Sequence, residues 1–133
     1  MMEDYYREVI LDHYRHPRNA GVLDSADIHA ADSNPLCGDK VELFLKIGED
    51  GRVSAVRFSG RGCAISQASA SLLTEMIEGK SLEELKQFGK DDILDALGLE
   101  HISPARMKCA MLSMRVLQHA LGNDDWFRLE DEE

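Results

Sequence analysis

The sequence predicts a single α+β domain in which a small antiparallel sheet of about three strands packs against several helices. Apolar residues stand at every second position over 41–47, as in a half-buried strand, and a Gly-Glu-Asp-Gly turn at 48–51 leads to a partner strand at 52–59. Apolar residues recur at helical spacing over 65–76. The 133 residues, 44% of them hydrophobic, suit one domain with one core.

The segment before this hairpin is predicted to hold one helix and one short strand. Helical spacing over 3–16 stops at Pro17, because the residue before a proline avoids the helical conformation. Residues 28–32 are a candidate edge strand, and 33–39, where proline and glycine flank a cysteine, are predicted as a loop. The third strand of the sheet would come from this segment.

The chain after residue 76 is predicted to be helical up to an acidic tail. A Ser-Leu-Glu-Glu run at 81–84 has the form of a capping box that opens a short helix, and 91–97 is a second short helix. Ser103 supplies a cap, and a first-turn proline follows it, for a long last helix over about 104–122. Residues 123–133 are predicted as a solvated tail, and the whole of 1–133 as one domain.

The charge balance argues against a nucleic-acid partner, and the hydropathy of the chain argues against a membrane partner. Fifteen Lys and Arg against 25 Asp and Glu give a net charge of −10, whereas nucleic-acid binders carry a concentrated basic face. No run approaches the ~18 uncharged apolar residues of a membrane span, and the first residues lack the pattern of a secretory signal. We therefore expect a cytoplasmic protein with no nucleic-acid and no membrane partner.

Its odd count of three cysteines favours thiol or metal chemistry over a disulfide framework.

Each cysteine lies at a junction between predicted elements. Cys37 lies in the loop before the first clear strand, Cys63 precedes a helix whose dipole favours a thiolate, and Cys109 lies on the packed stripe of the last helix. Asp39 stands two residues after Cys37. Three thiolates and this carboxylate would complete a four-coordinate site for zinc or cluster iron, provided that the junctions converge. Scattered cysteines that only fill the core are the alternative.

Three sequence motifs surround these cysteines. They read Asn-Pro-Leu-Cys-Gly-Asp at 34–39, Phe-Ser-Gly-Arg-Gly-Cys-Ala-Ile-Ser-Gln-Ala-Ser at 58–69 and Pro-Ala-Arg-Met-Lys-Cys-Ala at 104–110. Together they resemble the three cysteine motifs of the IscU/SufU/NifU family of iron–sulfur cluster assembly scaffolds. The resemblance covers nearly the whole chain, from Tyr5 to Leu121.

The resemblance implies a non-enzymatic scaffold. Such a protein accepts sulfur from a cysteine desulfurase and iron from an iron donor, assembles a transient [2Fe–2S] or [4Fe–4S] cluster, and passes it to apo-proteins. It implies that Cys37, Asp39, Cys63 and Cys109 are the ligands of the cluster, or of Zn²⁺ in the same site. Cys37 is the candidate persulfide acceptor, because a loop flanked by proline and glycine can move toward a partner.

The third motif leads to an alternative function. Lys108 stands directly before Cys109, where the IscU branch has a histidine, so this motif resembles that of the SufU branch and its zinc-dependent sulfurtransferases. The 46 positions from Cys63 to Cys109 are too few for the full SufU insertion. Residues 101–105 also differ from the Leu-Pro-Pro-Val-Lys run with which IscU docks its chaperone, so docking of a dedicated chaperone is not expected. A sulfurtransferase that relays persulfide sulfur, and is thus an enzyme, is the alternative to the scaffold.

The other polar side chains are predicted to be structural. Ser66, Ser69 and Ser71 are interpreted as small helix-packing residues, since the sequence fixes no base near them. His13 and His16 share a helix face, but they lack the glutamate and the spacing of a hydrolytic metal motif. Tyr14 is interpreted as a packing residue of the first helix, with a surface for a partner as the alternative.

Overall fold

The predicted α+β fold with a three-stranded antiparallel sheet is confirmed. The computed structural model of the protein describes residues 2–34, 38–98, 103–123 and 126, with side chains from residue 8 onward. The described elements are α1 (Met2–Arg15), β1 (Ile28–Asn34), β2 (Asp39–Ile47), β3 (Val53–Arg61), α2 (Ala64–Ile77), α3 (Leu82–Lys86), α4 (Lys90–Leu97) and α5 (Pro104–Ala120).

The strands lie in the order β1-β2-β3, and each neighbouring pair is antiparallel. The predicted edge strand is longer than expected, because its pairing with β2 continues to Asn34 opposite Asp39. The loop predicted over 33–39 is therefore wrong at both ends: Ser33 and Asn34 belong to β1, and Asp39 begins β2. Cross-strand hydrogen bonds override the local turn composition here.

The two faces of the sheet have different surroundings. On the inner face, Val41, Leu43, Leu45 and Val56 are at most 1% exposed. Helices α2 and α5 pack against this face, and α1 packs against α2. Burial of each such side chain contributes about 1.5–3 kcal/mol relative to exposure, so this layer forms the core. No described helix packs against the outer face.

The predicted helix starts are confirmed. The Glu84 N–H donates to Ser81 Oγ, and the Ser81 N–H donates to the Glu84 carboxylate, both at 3.2 Å, which is the capping box expected for α3. Ser103 Oγ accepts the Arg106 N–H at 3.3 Å, and Pro104 is the first residue of α5. Each of these caps involves residues three apart, which is why sequence alone locates them.

The packed part of the chain extends into the segment predicted as an acidic tail. Trp126 is 7% exposed and belongs to the core cluster. Its indole N–H donates to the Phe88 carbonyl at 3.1 Å, so it covers the end of α3. Residues 124–125 and 127–133 lie outside the described part of the chain. None of the helices within the described ranges has the length and apolarity to cross a bilayer.

Candidate metal centre

Three of the four residues predicted as ligands meet at one end of the sheet. A carboxylate oxygen of Asp39, Sγ of Cys63 and Sγ of Cys109 lie within 4.8 Å of one another. Asp39 begins β2, Cys63 precedes α2, and Cys109 lies in the second turn of α5. The fourth residue, Cys37, lies outside the described residues. The strand–helix junction and the last helix therefore converge, as the four-coordinate site requires.

Asp39 is held against Cys63 through both carboxylate oxygens. Its Oδ1 accepts the Cys63 backbone N–H at 2.9 Å, and its Oδ2 accepts the Cys63 thiol at 3.6 Å. The side chain is only 1% exposed. A carboxylate removed from water in this way needs donors, because an unpaired buried charge is strongly unfavourable.

Gly62 makes the approach of Asp39 possible. Its φ of +142° lies in the region that favours glycine. A Cβ at this position would lie 2.2 Å from Asp39 Oδ1 and 2.9 Å from Ser66 Oγ. Any side chain at residue 62 would therefore displace the carboxylate from the Cys63 N–H.

Cys63 is the N-cap residue of α2, as its position before a predicted helix suggested. Its Sγ accepts the Ser66 N–H at 3.5 Å, and Ser66 Oγ donates to the Cys63 carbonyl at 3.1 Å. The sulfur thus faces the positive end of the helix dipole, while the residue itself is exposed. This thiol is both oriented and open to a partner.

Cys109 lies where α5 leaves the core. The helix is buried at most positions from Ala110 to Gln118, whereas Lys108 is exposed and Cys109 is partly buried. The Cys109 thiol donates to the Ala105 carbonyl at 3.7 Å within the same helix. Its place relative to Asp39 and Cys63 therefore depends on how α5 packs against β1 and β2.

The donor set fits a tetrahedral metal. Zn–S bonds of about 2.3 Å place two tetrahedral sulfur ligands about 3.8 Å apart, so a set of atoms spread over at most 4.8 Å is close to the required geometry. Thiolates suit zinc and cluster iron, and Asp39 adds a harder oxygen ligand. Cys63, Cys109 and Asp39 would hold the metal with one position left for a fourth ligand.

A groove lies along the outer edge of β3 and ends next to the candidate metal centre. It has a volume of about 490 Å³ and runs from Tyr14 and Pro17 past Phe58 to Gly62, beside Cys63. Tyr14 is 47% exposed, so its interpretation as a packing residue is wrong, and the alternative of a surface for a partner stays a prediction. This side chain lines the groove, whereas the neighbouring His13 of α1 contacts Ser71 of α2.

The sequence missed a buried contact between α1 and α2. His13 Nδ1 lies 2.7 Å from Ser71 Oγ, so the expectation that no base lies near Ser71 is wrong. Ser71 is fully buried, which excludes substrate from it. Burial, and secondly the charge of Arg18, lower the pKa of His13, and both effects favour the neutral ring. The contact therefore joins α1 to α2 through two residues that are 58 positions apart in sequence.

The fold and this centre define a class: small α+β domains that gather thiolates and one carboxylate at the end of a three-stranded sheet. The chain matches the NifU-like N terminal domain over residues 5–126, and it belongs to this family. The family resemblance of the three motifs is thus confirmed.

Several relatives cover nearly the whole chain. It is 37% identical to the zinc-dependent sulfurtransferase SufU of Bacillus subtilis, over 93% of this chain and 94% of the relative. It is 34% identical to the iron–sulfur cluster assembly scaffold protein IscU of Escherichia coli, over 89% and 92%. A crystal structure described as a SUF-system scaffold from Fervidobacterium islandicum superposes with a TM-score of 0.73 at 28% identity, over 86% and 94%.

Proposed function

We propose that this protein is a scaffold for iron–sulfur cluster assembly that binds a transient cluster through Cys37, Asp39, Cys63 and Cys109. The observation that carries the proposal is the meeting of the Asp39, Cys63 and Cys109 ligand atoms within 4.8 Å. The similarity to proteins named as IscU scaffolds supports the same function. The partners would be a cysteine desulfurase, an iron donor and apo-proteins that accept the cluster.

The mixed ligand set suits a scaffold that must also release its cargo. Thiolates are soft ligands that match cluster iron, and a carboxylate is a harder ligand that matches it less well. Asp39 therefore makes the assembly more labile than a fourth thiolate would. The exposure of Cys63 leaves one side of the site open for transfer to an acceptor.

A zinc-dependent sulfurtransferase is the second candidate. The 37% identity to a relative named for this activity favours it, and so does the exposed Lys108 directly before Cys109. Zn²⁺, when bound, would order these ligands and protect the thiols from oxidation. Asp39, Cys63 and Cys109 would hold it.

Anaerobic purification followed by metal analysis and an absorption spectrum tests these two functions. The scaffold is supported if reconstitution gives cluster absorption that is lost in Cys63→Ala. The control Ser54→Ala, which is remote from the site and keeps all three cysteines, should retain this absorption. One zinc per chain that resists replacement by iron and sulfide supports the sulfurtransferase. A chain that retains neither metal nor cluster contradicts both.

In either case, we propose Cys37 as the residue that receives sulfur. Its thiolate would attack the outer sulfur of the desulfurase persulfide, the S–S bond would break, and the desulfurase thiolate would leave, with no net oxidation or reduction. Mass spectrometry of the single Cys37→Ala, Cys63→Ala and Cys109→Ala variants after reaction with desulfurase and cysteine tests this role. A persulfide that survives in Cys37→Ala refutes it.

A further inference from the structure

The outer face of the sheet concentrates positive charge in an acidic protein. Four of the chain's 15 basic residues point outward from β2 and β3, against one acidic residue, Glu42, while the whole chain has a net charge of −10. We call this surface the basic sheet face. Its basic residues are Lys40, Lys46, Arg57 and Arg61. Since side chains alternate along a strand, all four lie on the side opposite the core.

Three of the four cations on this face are available to a ligand, whereas Arg57 is half-buried and donates to Asn19 Oδ1 at 3.3 Å and to the Val56 carbonyl at 2.6 Å. Lys40 and Arg61 are paired across β2 and β3, and both are exposed, as is Lys46. No described helix covers them. The positive charge therefore faces solvent directly.

The one carboxylate on the face is already engaged. Glu42 lies 2.6 Å from His29 Nε2, and it accepts the Ser59 hydroxyl at 3.1 Å. The pKa of Glu42 is lowered, chiefly by the hydrogen bond from His29. His29 also stacks on Phe44 with ring centroids 4.5 Å apart. Glu42 is thus engaged by His29 and Ser59, and the charge of the neighbouring Lys40 also lowers its pKa, after these hydrogen bonds.

The basic sheet face adjoins the candidate metal centre. Lys40 directly follows Asp39, and Arg61 stands two residues before Cys63. The Lys40–Arg61 pair therefore lies at the same end of the sheet as the ligand atoms. A partner bound here would be positioned beside Cys63, whose side chain is exposed.

We propose that the basic sheet face docks an acidic segment of a partner protein. Charge complementarity selects an acidic ligand, and a short segment contacts this face without meeting the acidic remainder of the chain. A long phosphate backbone would be repelled by that remainder, so a protein is favoured over a nucleic acid. This inference goes beyond the proposed function and does not depend on bound metal.

Fluorescence anisotropy with a labelled peptide that contains a run of glutamates tests the proposal. Two double variants change the net charge equally: Lys40→Glu with Arg61→Glu on the face, and Lys80→Glu with Lys86→Glu at exposed sites elsewhere. We expect the first to weaken peptide binding about tenfold or more and the second less than about twofold, since local contacts dominate at physiological ionic strength.

Two results would overturn the proposal. Equal losses in both double variants would mean that net charge alone governs binding. Equal binding of a single-stranded DNA oligonucleotide by the unmodified protein would remove the preference for a protein. Far-UV circular dichroism verifies folding, and Lys40→Gln with Arg61→Gln replaces the charge reversal if that variant fails to fold.

Discussion

The two halves of the candidate metal centre are positioned in different ways. Asp39 and Cys63 are joined directly, by a 2.9 Å hydrogen bond to the Cys63 backbone and a 3.6 Å contact to its thiol. The Cys109 thiol donates a hydrogen bond to Ala105, inside its own helix. The first half is therefore organised by local contacts at the strand–helix junction, and the second by the packing of α5. Substitutions in the Asp39–Cys63 half should therefore lower the stability of the metal-free protein more than substitution of Cys109.

The largest effect is expected for Gly62→Ala, which breaks the first half. The added Cβ would lie 2.2 Å from Asp39 Oδ1, in a backbone conformation with φ of +142°. We expect a loss of about 2–4 kcal/mol in the free energy of unfolding and a large loss of zinc affinity. Urea unfolding and zinc competition with a chelator measure the two quantities.

Gly51→Ala is the matched control for this substitution. Gly51 also has positive φ, +79°, but nothing lies within 4 Å of its added Cβ. We expect about 1 kcal/mol of destabilisation and unchanged zinc affinity. Equal effects of the two substitutions would mean that backbone strain alone, and not contact with Asp39, explains the requirement at Gly62.

Cys63→Ala and Cys109→Ala should separate the halves. Both remove a proposed ligand, so we expect zinc affinity to fall at least ~100-fold in each. Without metal, Cys63→Ala should also cost about 1 kcal/mol of stability, because it removes the cap of α2 and a partner of Asp39. Cys109→Ala should lower the stability of the metal-free protein by less. Equal stabilities of the two metal-free variants would contradict the distinction between the two halves of the centre.

Asp39→Ala tests whether the carboxylate makes the cluster labile. We expect slower cluster transfer to an apo-ferredoxin-type acceptor, because the harder ligand is lost. We also expect about 1–3 kcal/mol lower stability of the metal-free protein, because the Cys63 N–H loses its acceptor. Transfer rates are compared at equal cluster loading. A transfer rate equal to that of the unmodified protein would contradict the proposal that Asp39 makes the cluster labile.

The smallest effect is expected at the contact between α1 and α2, the helix that Cys63 caps. The pKa of His13 is lowered in the folded state, chiefly by burial, so below about pH 6.5 the unfolded chain binds more protons at this site. The contribution of the neutral His13 to stability is therefore full above about pH 6.5, and it is lost as the pH falls toward the lowered pKa of the folded state. Unfolding free energies against pH should show a shallower dependence for His13→Gln. Identical profiles would exclude His13 as the cause.

Much of the fold could be predicted because its signals are local. The alternation over 41–47, the Ser81 capping box and the Ser103 cap each involve residues a few positions apart. The prediction failed where pairing with a distant segment decided the structure. Asp39 is a buried strand residue because β1 and β2 pair as far as Asn34, and the composition of the intervening loop does not report this.

The candidate site also has some features that the sequence predicts and others that only long-range packing decides. The sequence by itself determined which residues stand at the junctions, that Cys63 directly precedes a helix, and which chemistry thiols and a carboxylate offer together. Only the tertiary structure decided that Asp39, Cys63 and Cys109 meet within 4.8 Å. Cys63 and Cys109 are 46 positions apart, and their meeting depends on α5 packing over β1 and β2. Periodicity reports which face of a helix is apolar, but long-range packing sets where that face lies.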